Sequence, residues 1–354
     1  MAKDYLLEEL KSLNKKAEGS AMPKDLRERI LQMLDRLNRI SQSNTYSSEF
    51  DVIANYIDWI TEIPWVKKTQ DNLDLKNAKQ VLDRNHYGLE QVKERILEYM
   101  AVENIKIVNK DKLQAQEKAP VLCLVGLQGL GKTTLASSIA EALGRKFIRV
   151  SLGALGSIFE LKGKSKALSS AEPGQIIKAL VRTKVSNPLI LLDEMDKVSG
   201  EKGLRSDLMA ALLEILDPEQ NTSFTDHYID HPIDLSNILF IASANNTGTF
   251  STALIDRLEI IRMPSYSDKE KEVIARDYLL SKVMKISGLL PEQLEIKDEV
   301  WPKLIRPLGY DSGIRSLQRI LESVCRKAAK IIIEQKIPAV VVDEINFKSF
   351  LPIL

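Results

Sequence analysis

Gly126-Leu-Gln-Gly-Leu-Gly-Lys-Thr133 lies between an apolar run and a helical pattern, and its reading decides the fold. The spacing fits G-x-x-x-x-G-K-[ST], the loop that cradles nucleotide phosphates. Gly126, Gly129 and Gly131 let the backbone turn tightly and aim amide N–H groups inward. Lys132 suits neutralisation of the β- and γ-phosphates, and Thr133 suits Mg2+ ligation. Leu127, Gln128, Leu130 and Thr134 complete the candidate phosphate-binding set. Residues 121–125 read as a buried strand. Leu135, Ile139 and Leu143, with Ala136 and Ala140, carry helical spacing after the loop, and Gly144 ends it. A glycine-rich turn without a ligand is the competing reading. The order strand, loop, helix argues against it.

The 354 residues suffice for two or three domains, and 44% apolar content supports a sizeable core. Fifty basic and 49 acidic residues leave a net charge of +1, which disfavours a dominant nucleic-acid or membrane-surface role. Cys123 and Cys325 form no C-x-x-C pair, and His86, His227 and His231 lack zinc spacing. The amino-terminal residues open an amphipathic helical pattern and not a signal peptide. No run of about 18 apolar residues occurs, so no membrane span is expected. These features point to a reducing compartment, the cytoplasm or an organelle matrix.

Three regions separate by pattern. Residues 1–102 read as helices, with a polar break at 41–48 and a stop near Pro64. The start, 5–16, is read either as a coiled-coil arm or as a helix packed on its own domain. Residues 103–264 alternate strands and helices, after a Lys/Gln-rich surface loop at 106–118. Candidate strands are 121–125, 147–150, 189–192, 238–242 and 259–263, which predicts an α/β domain with a parallel sheet. Residues 265–354 read as a small helical domain, with helices over 268–285 and 313–335 and a strand at 339–342.

Leu189-Ile-Leu-Leu-Asp193-Glu194 is an apolar strand ending in two acids. Some sixty residues after a phosphate loop, this pattern assigns Asp193 to the metal and Glu194 to the attacking water. Phe240-Ile-Ala-Ser-Ala-Asn245 places Asn245 at another strand end, where it either senses the γ-phosphate or begins a turn. Arg257 and Arg315 offer guanidinium groups suited to a transferring phosphoryl group.

Together these motifs resemble the AAA+ ATPase module of the ATP-dependent Lon proteases. Tyr56-Ile-Asp-Trp-Ile-Thr-Glu-Ile-Pro-Trp65, His86-Tyr-Gly-Leu89, Leu192-Asp-Glu-Met-Asp-Lys197, Leu213-Glu-Ile-Leu-Asp-Pro-Glu-Gln-Asn221 and Phe224-Thr-Asp-His-Tyr228 carry the resemblance. Ile314-Arg-Ser-Leu-Gln318 resembles the second-sensor motif of a helical lid. The resemblance implies that Arg257 is an arginine finger acting on a neighbouring subunit, that Arg315 is the lid sensor, and that Tyr87 borders the adenine. It also implies ATP and Mg2+, a homo-oligomeric ring of six, and misfolded or regulatory protein substrates in protein quality control.

Three departures stand out. Leu127 and Gln128 replace the two prolines usual in this family's loop. Leu168 and Ser169 stand where an aromatic–hydrophobic pair would face the ring's pore. The serine–lysine peptidase dyad of the family would lie beyond Leu354, so no serine here takes that role. Two functions remain open: an ATP-driven motor for polypeptide, or a nucleotide-dependent scaffold that pulls nothing. A DNA-remodelling ATPase fits the near-neutral charge less well.

Overall fold

The computed structural model describes residues 2–42, 48–109, 120–168, 170–198, 202–306 and 313–352. Its centre is a five-stranded parallel sheet: β1 (Val121–Val125), β2 (Phe147–Ser151), β3 (Leu189–Asp193), β4 (Leu239–Ala244) and β5 (Leu258–Arg262). The spatial order is β2-β3-β4-β1-β5. Side chains on a strand alternate between faces. Leu122 and Leu124 of β1 and Leu189 and Leu191 of β3 enter the core on one face. Cys123, Val125, Ile190 and Leu192 enter the core on the other. Burial on both faces explains why these strands read as unbroken apolar runs.

The helix Lys132–Leu143 follows β1 and ends at Gly144, whose φ of 70° is left-handed. Leu75–Asn85 packs against it, and Glu90–Val108 completes that layer. The latter helix runs into the stretch expected to be loop, whose remainder, 110–118, lies outside the described residues. At the amino-terminal side, Ala2–Gly19, Lys24–Gln42 and Ser48–Glu62 pack on one another as a trio. Leu6, Leu10 and Leu13 of the first helix are buried against its neighbours, so it packs on its own chain. The trio shares a continuous core with one face of the sheet. Tyr56 Oη donates to Ile229 O at 2.8 Å across that junction. Trp59 and Trp65 pack against this core, as the sequence suggested for aromatics beside a helix end.

The carboxyl-terminal unit has its own core around Trp301, Leu317, Leu321 and Val324. Its long helix is Ile314–Gln335, and short parallel strands Leu294–Ile296 and Val340–Val342 close it. The expected helix over 268–285 is present but widens to a π-helical wind at Ile274–Leu279 between Asp268–Val273 and Leu280–Ile286. Its start is fixed by a capping box between Ser267 and Glu270. The antiparallel pair Phe224–Thr225 with Pro232–Ile233 was not legible, because two-residue strands carry no period.

Candidate functional site

The candidate residues gather at the carboxyl edge of the sheet. Gly126 leaves β1 and donates its N–H to Ala244 O at 3.1 Å, tying the loop to the end of β4. Gly129 and Gly131 have φ of 85° and 88°, a region that resists side chains. Leu127 and Gln128 are exposed at the crest, while Leu130 is buried and anchors the loop in the core. The amides opening Lys132–Leu143 have no helical partners and form an anion-binding end. Thr134 Oγ1 donates to Gly131 O at 2.8 Å, so its hydroxyl braces the loop from within. Thr133 is half-buried beside it.

Lys132 Nζ donates to Gly126 O, to Leu127 O at 3.0 Å and to Asn245 Oδ1 at 3.2 Å. Burial pushes its ammonium below the usual value, while Asp193 and Asp196 oppose that shift. Asn245 is therefore not a turn-former alone. Its N–H donates to Asp196 Oδ1 at 3.0 Å and its Nδ2 to Asp196 Oδ2 at 3.2 Å, which aims the carbonyl oxygen at Lys132. Asp196 is a residue that sequence reasoning quoted without assigning. Its signal was the spacing of three from Asp193, one helical turn past the strand.

Asp193 ends β3 and is buried. Its Oδ1 accepts from Ser243 Oγ and, at 3.0 Å, from the N–H of Glu194. Its Oδ2 is 2.5 Å from Arg149 Nε on the neighbouring strand β2. Neither Ser243 nor Arg149 was anticipated. Glu194 holds φ 60° and ψ 42°, a left-handed backbone that costs an ordinary residue about 1–2 kcal/mol. Its Oε1 lies 2.9 Å from Lys197 Nζ. A Cβ on Gly153 would stand 2.9 Å from Glu194 Oε2, so glycine there makes room for the carboxylate.

Oxygen donors at Thr133 and Asp193 suit a hard divalent cation such as Mg2+. No cluster of three or more His, Cys, Asp or Glu that could hold a metal occurs among the described residues.

The helical unit reaches this loop. A Cβ on Gly129 would lie 3.2 Å from Arg315 N, and one on Gly313 would lie 3.6 Å from Gln128 O. Arg315 thus stands beside the phosphate loop, and its charge further depresses Lys132. Tyr87 sits in the turn between Leu75–Asn85 and Glu90–Val108, its ring centroid 6.4 Å from that of Tyr278 in the π-helical wind. Tyr278 is a further residue the sequence did not mark.

Arg257 is the exception. Its carbonyl accepts from Val121 N at 2.8 Å, at the amino edge of the sheet. The phosphate loop begins five strand residues away, about 16 Å at ~3.3 Å per residue. The Arg257 guanidinium is held by Asp217 Oδ2, at 2.6 Å from Nη2 and 3.2 Å from Nε. That contact keeps the Asp217 carboxyl below its usual range. His227 edges onto Phe159 from an exposed loop, and His231 packs on Trp65 with Nδ1 3.5 Å from Asp25.

The sheet order, glycine loop, acidic strand end and helical lid define a P-loop ATPase. Residues 122–266 match the family described as "ATPase family associated with various cellular activities (AAA)", and residues 285–340 match the "Lon protease AAA+ ATPase lid domain". Lon protease 1 of Bacillus subtilis (strain 168) is 45% identical over 343 residues, covering 97% of this chain and 43% of that protein. Lon protease of Bacillus thuringiensis (strain Al Hakam) is 44% identical over 343 residues, 97% of this chain and 42% of that protein. Lon protease of Nitratidesulfovibrio vulgaris is 43% identical over 345 residues, covering 97% and 40% respectively. The chain belongs to the Lon family, of which it carries the AAA+ ATPase module. It spans less than half the length of these relatives. Among the described residues no helix is long and apolar enough to cross a membrane.

Proposed function

We propose that this chain binds Mg-ATP and hydrolyses it at an interface between neighbouring copies, using the cycle to move polypeptide. The single observation that carries the reading is the convergence of Lys132, Asn245, Asp193 and Glu194 at one sheet edge, with Arg257 set at the other. Lys132 and the amides of the loop hold the β- and γ-phosphates. Thr133 and Asp193 would hold Mg2+, which supplies charge neutralisation when bound. Glu194 accepts a proton from the attacking water as its oxygen bonds to the γ-phosphorus and the bond to ADP breaks. Asn245 and Arg315 contact the γ-phosphate, and Tyr87 with Tyr278 borders the adenine. Arg257 serves the nucleotide of a neighbour, which implies a closed ring of Lon type with six copies. We assign three working units, residues 1–102, 103–264 and 265–354, to pre-ATPase helices, ATPase domain and lid. Protein quality control with misfolded or regulatory substrates, coupling to peptide cleavage, and a cytoplasmic setting follow from the Lon relationship and belong to the same proposal.

ATP turnover by purified protein tests it. Release of phosphate that is Mg2+-dependent and lost in Glu194→Gln supports the reading; turnover unchanged in that variant sinks it. A second reading, a nucleotide-dependent scaffold, draws on Leu168, an exposed aliphatic where a pore aromatic is expected. Its partner position, Ser169, lies outside the described residues. ATP-driven unfolding of a tagged fluorescent substrate separates the two readings.

A further inference from the structure

His86 is a buried histidine that the chemistry above does not use. It ends the helix Leu75–Asn85, its N–H closing on Leu82 O at 2.9 Å. Immediately after it the chain reverses through two left-handed residues, Gly88 at φ 63° and Leu89 at φ 59°. Tyr87 is the link between these fixed points. The His86 ring turns inward, where Nε2 lies 3.0 Å from Ser138 Oγ of the phosphate-loop helix. Ser138 is itself buried, and its Oγ also accepts from Asn85 Nδ2 at 3.1 Å. The backbone of Thr134 is the second partner of the imidazole. Burial holds the ring neutral, with its pKa pushed down to about 4. A neutral ring offers one donor and one acceptor. Asn85, Ser138, the His86 ring and the Thr134 backbone thus form one connected set of contacts between the Tyr87 turn and the phosphate-loop helix.

We propose that His86 is a positioning residue for the nucleotide base: by pinning the Tyr87 turn to Ser138 and Thr134 of the phosphate-loop helix, it sets the distance between base and phosphate subsites. The inference rests on the reading of Tyr87 as a border of the adenine. Its consequence is a split between ligands. ATP needs both subsites in register, whereas inorganic tripolyphosphate needs the loop alone.

Calorimetric titration of the full chain with ATP and with tripolyphosphate tests this. In His86→Ala, affinity for ATP falls about tenfold, the scale of one lost buried hydrogen bond, while affinity for tripolyphosphate holds within about twofold. His86→Gln, which keeps a hydrogen-bonding amide near Ser138, retains most of the ATP affinity. Ser138→Ala, a smaller change that leaves the ring in place, shifts ATP in the same direction and carries the test should His86→Ala not fold. Parallel weakening of both ligands, or unmoved ATP affinity in folded variants, overturns the proposal. Wild-type protein that binds ATP no tighter than tripolyphosphate would instead remove base recognition itself, and the nucleotide-site reading would fall with it.

Discussion

Glu194 keeps a left-handed backbone at φ 60° where glycine would be relaxed. Strain of this kind persists at positions whose side chain is needed. Glu194→Gln is expected to lower ATP turnover about 10²–10⁴-fold while nucleotide binding, measured by fluorescence, stays near wild type. Glu194→Gly is expected to raise the unfolding free energy by about 1 kcal/mol in urea titration while turnover is lost. His86 gives a pH signature. Its folded value near 4 lies below the ordinary 6.5, so between these values the unfolded chain holds a proton that the folded chain does not. Stability therefore falls as pH drops from 6.5 toward 4, by about 3 kcal/mol in full. In His86→Gln that part of the pH dependence of the unfolding midpoint disappears. Lys132, Thr133, Asp193, Glu194 and Asn245 were legible as residues because each ends or opens an element with a recognisable pattern. Asp196, Arg149, Ser243 and Tyr278 were not, because each acts through a partner on a different element.

At the scale of elements, the loop between β1 and its helix is shaped from two sides. Its glycines supply the turns, and the head of Ile314–Gln335 presses on Gly129. Gly129→Ala places a side chain at φ 85° and against the Arg315 backbone. It is expected to weaken ATP at least about tenfold, because the loop and the lid can no longer keep their contact. Arg257 is likewise held by another element, through Asp217 at the end of Lys202–Leu216. Asp217→Ala frees the guanidinium; turnover should drop about tenfold or more with ATP affinity unchanged, as measured by steady-state kinetics and titration. The five sheet strands were legible to within a residue or two: β1, β3 and β4 are apolar and buried for most of their length, and the edge strands β2 and β5 keep shorter apolar runs around Arg149, Glu259 and Arg262. The π-helical wind and the two-residue strand pair were not, since neither changes the hydrophobic period over enough residues to register.

At the scale of the molecule, the chemistry is divided between the two edges of one sheet. In the proposed reading the nucleotide-binding and water-activating groups are those at the carboxyl edge; Arg257 stands at the amino edge, so one copy does not bring its own Arg257 to its own phosphates. The amino-terminal helices share one core with the sheet face that also buries Phe224. This division yields the most direct test of a site completed by a neighbour: ATP turnover in an equimolar mixture of Glu194→Gln and Arg257→Ala proteins. Each variant alone is expected to be nearly inactive. In the mixture, a copy with intact Glu194 meets a neighbour with intact Arg257, and turnover should recover to about a quarter of wild type in a head-to-tail ring. Turnover in the mixture no higher than the average of the two variants would contradict the account.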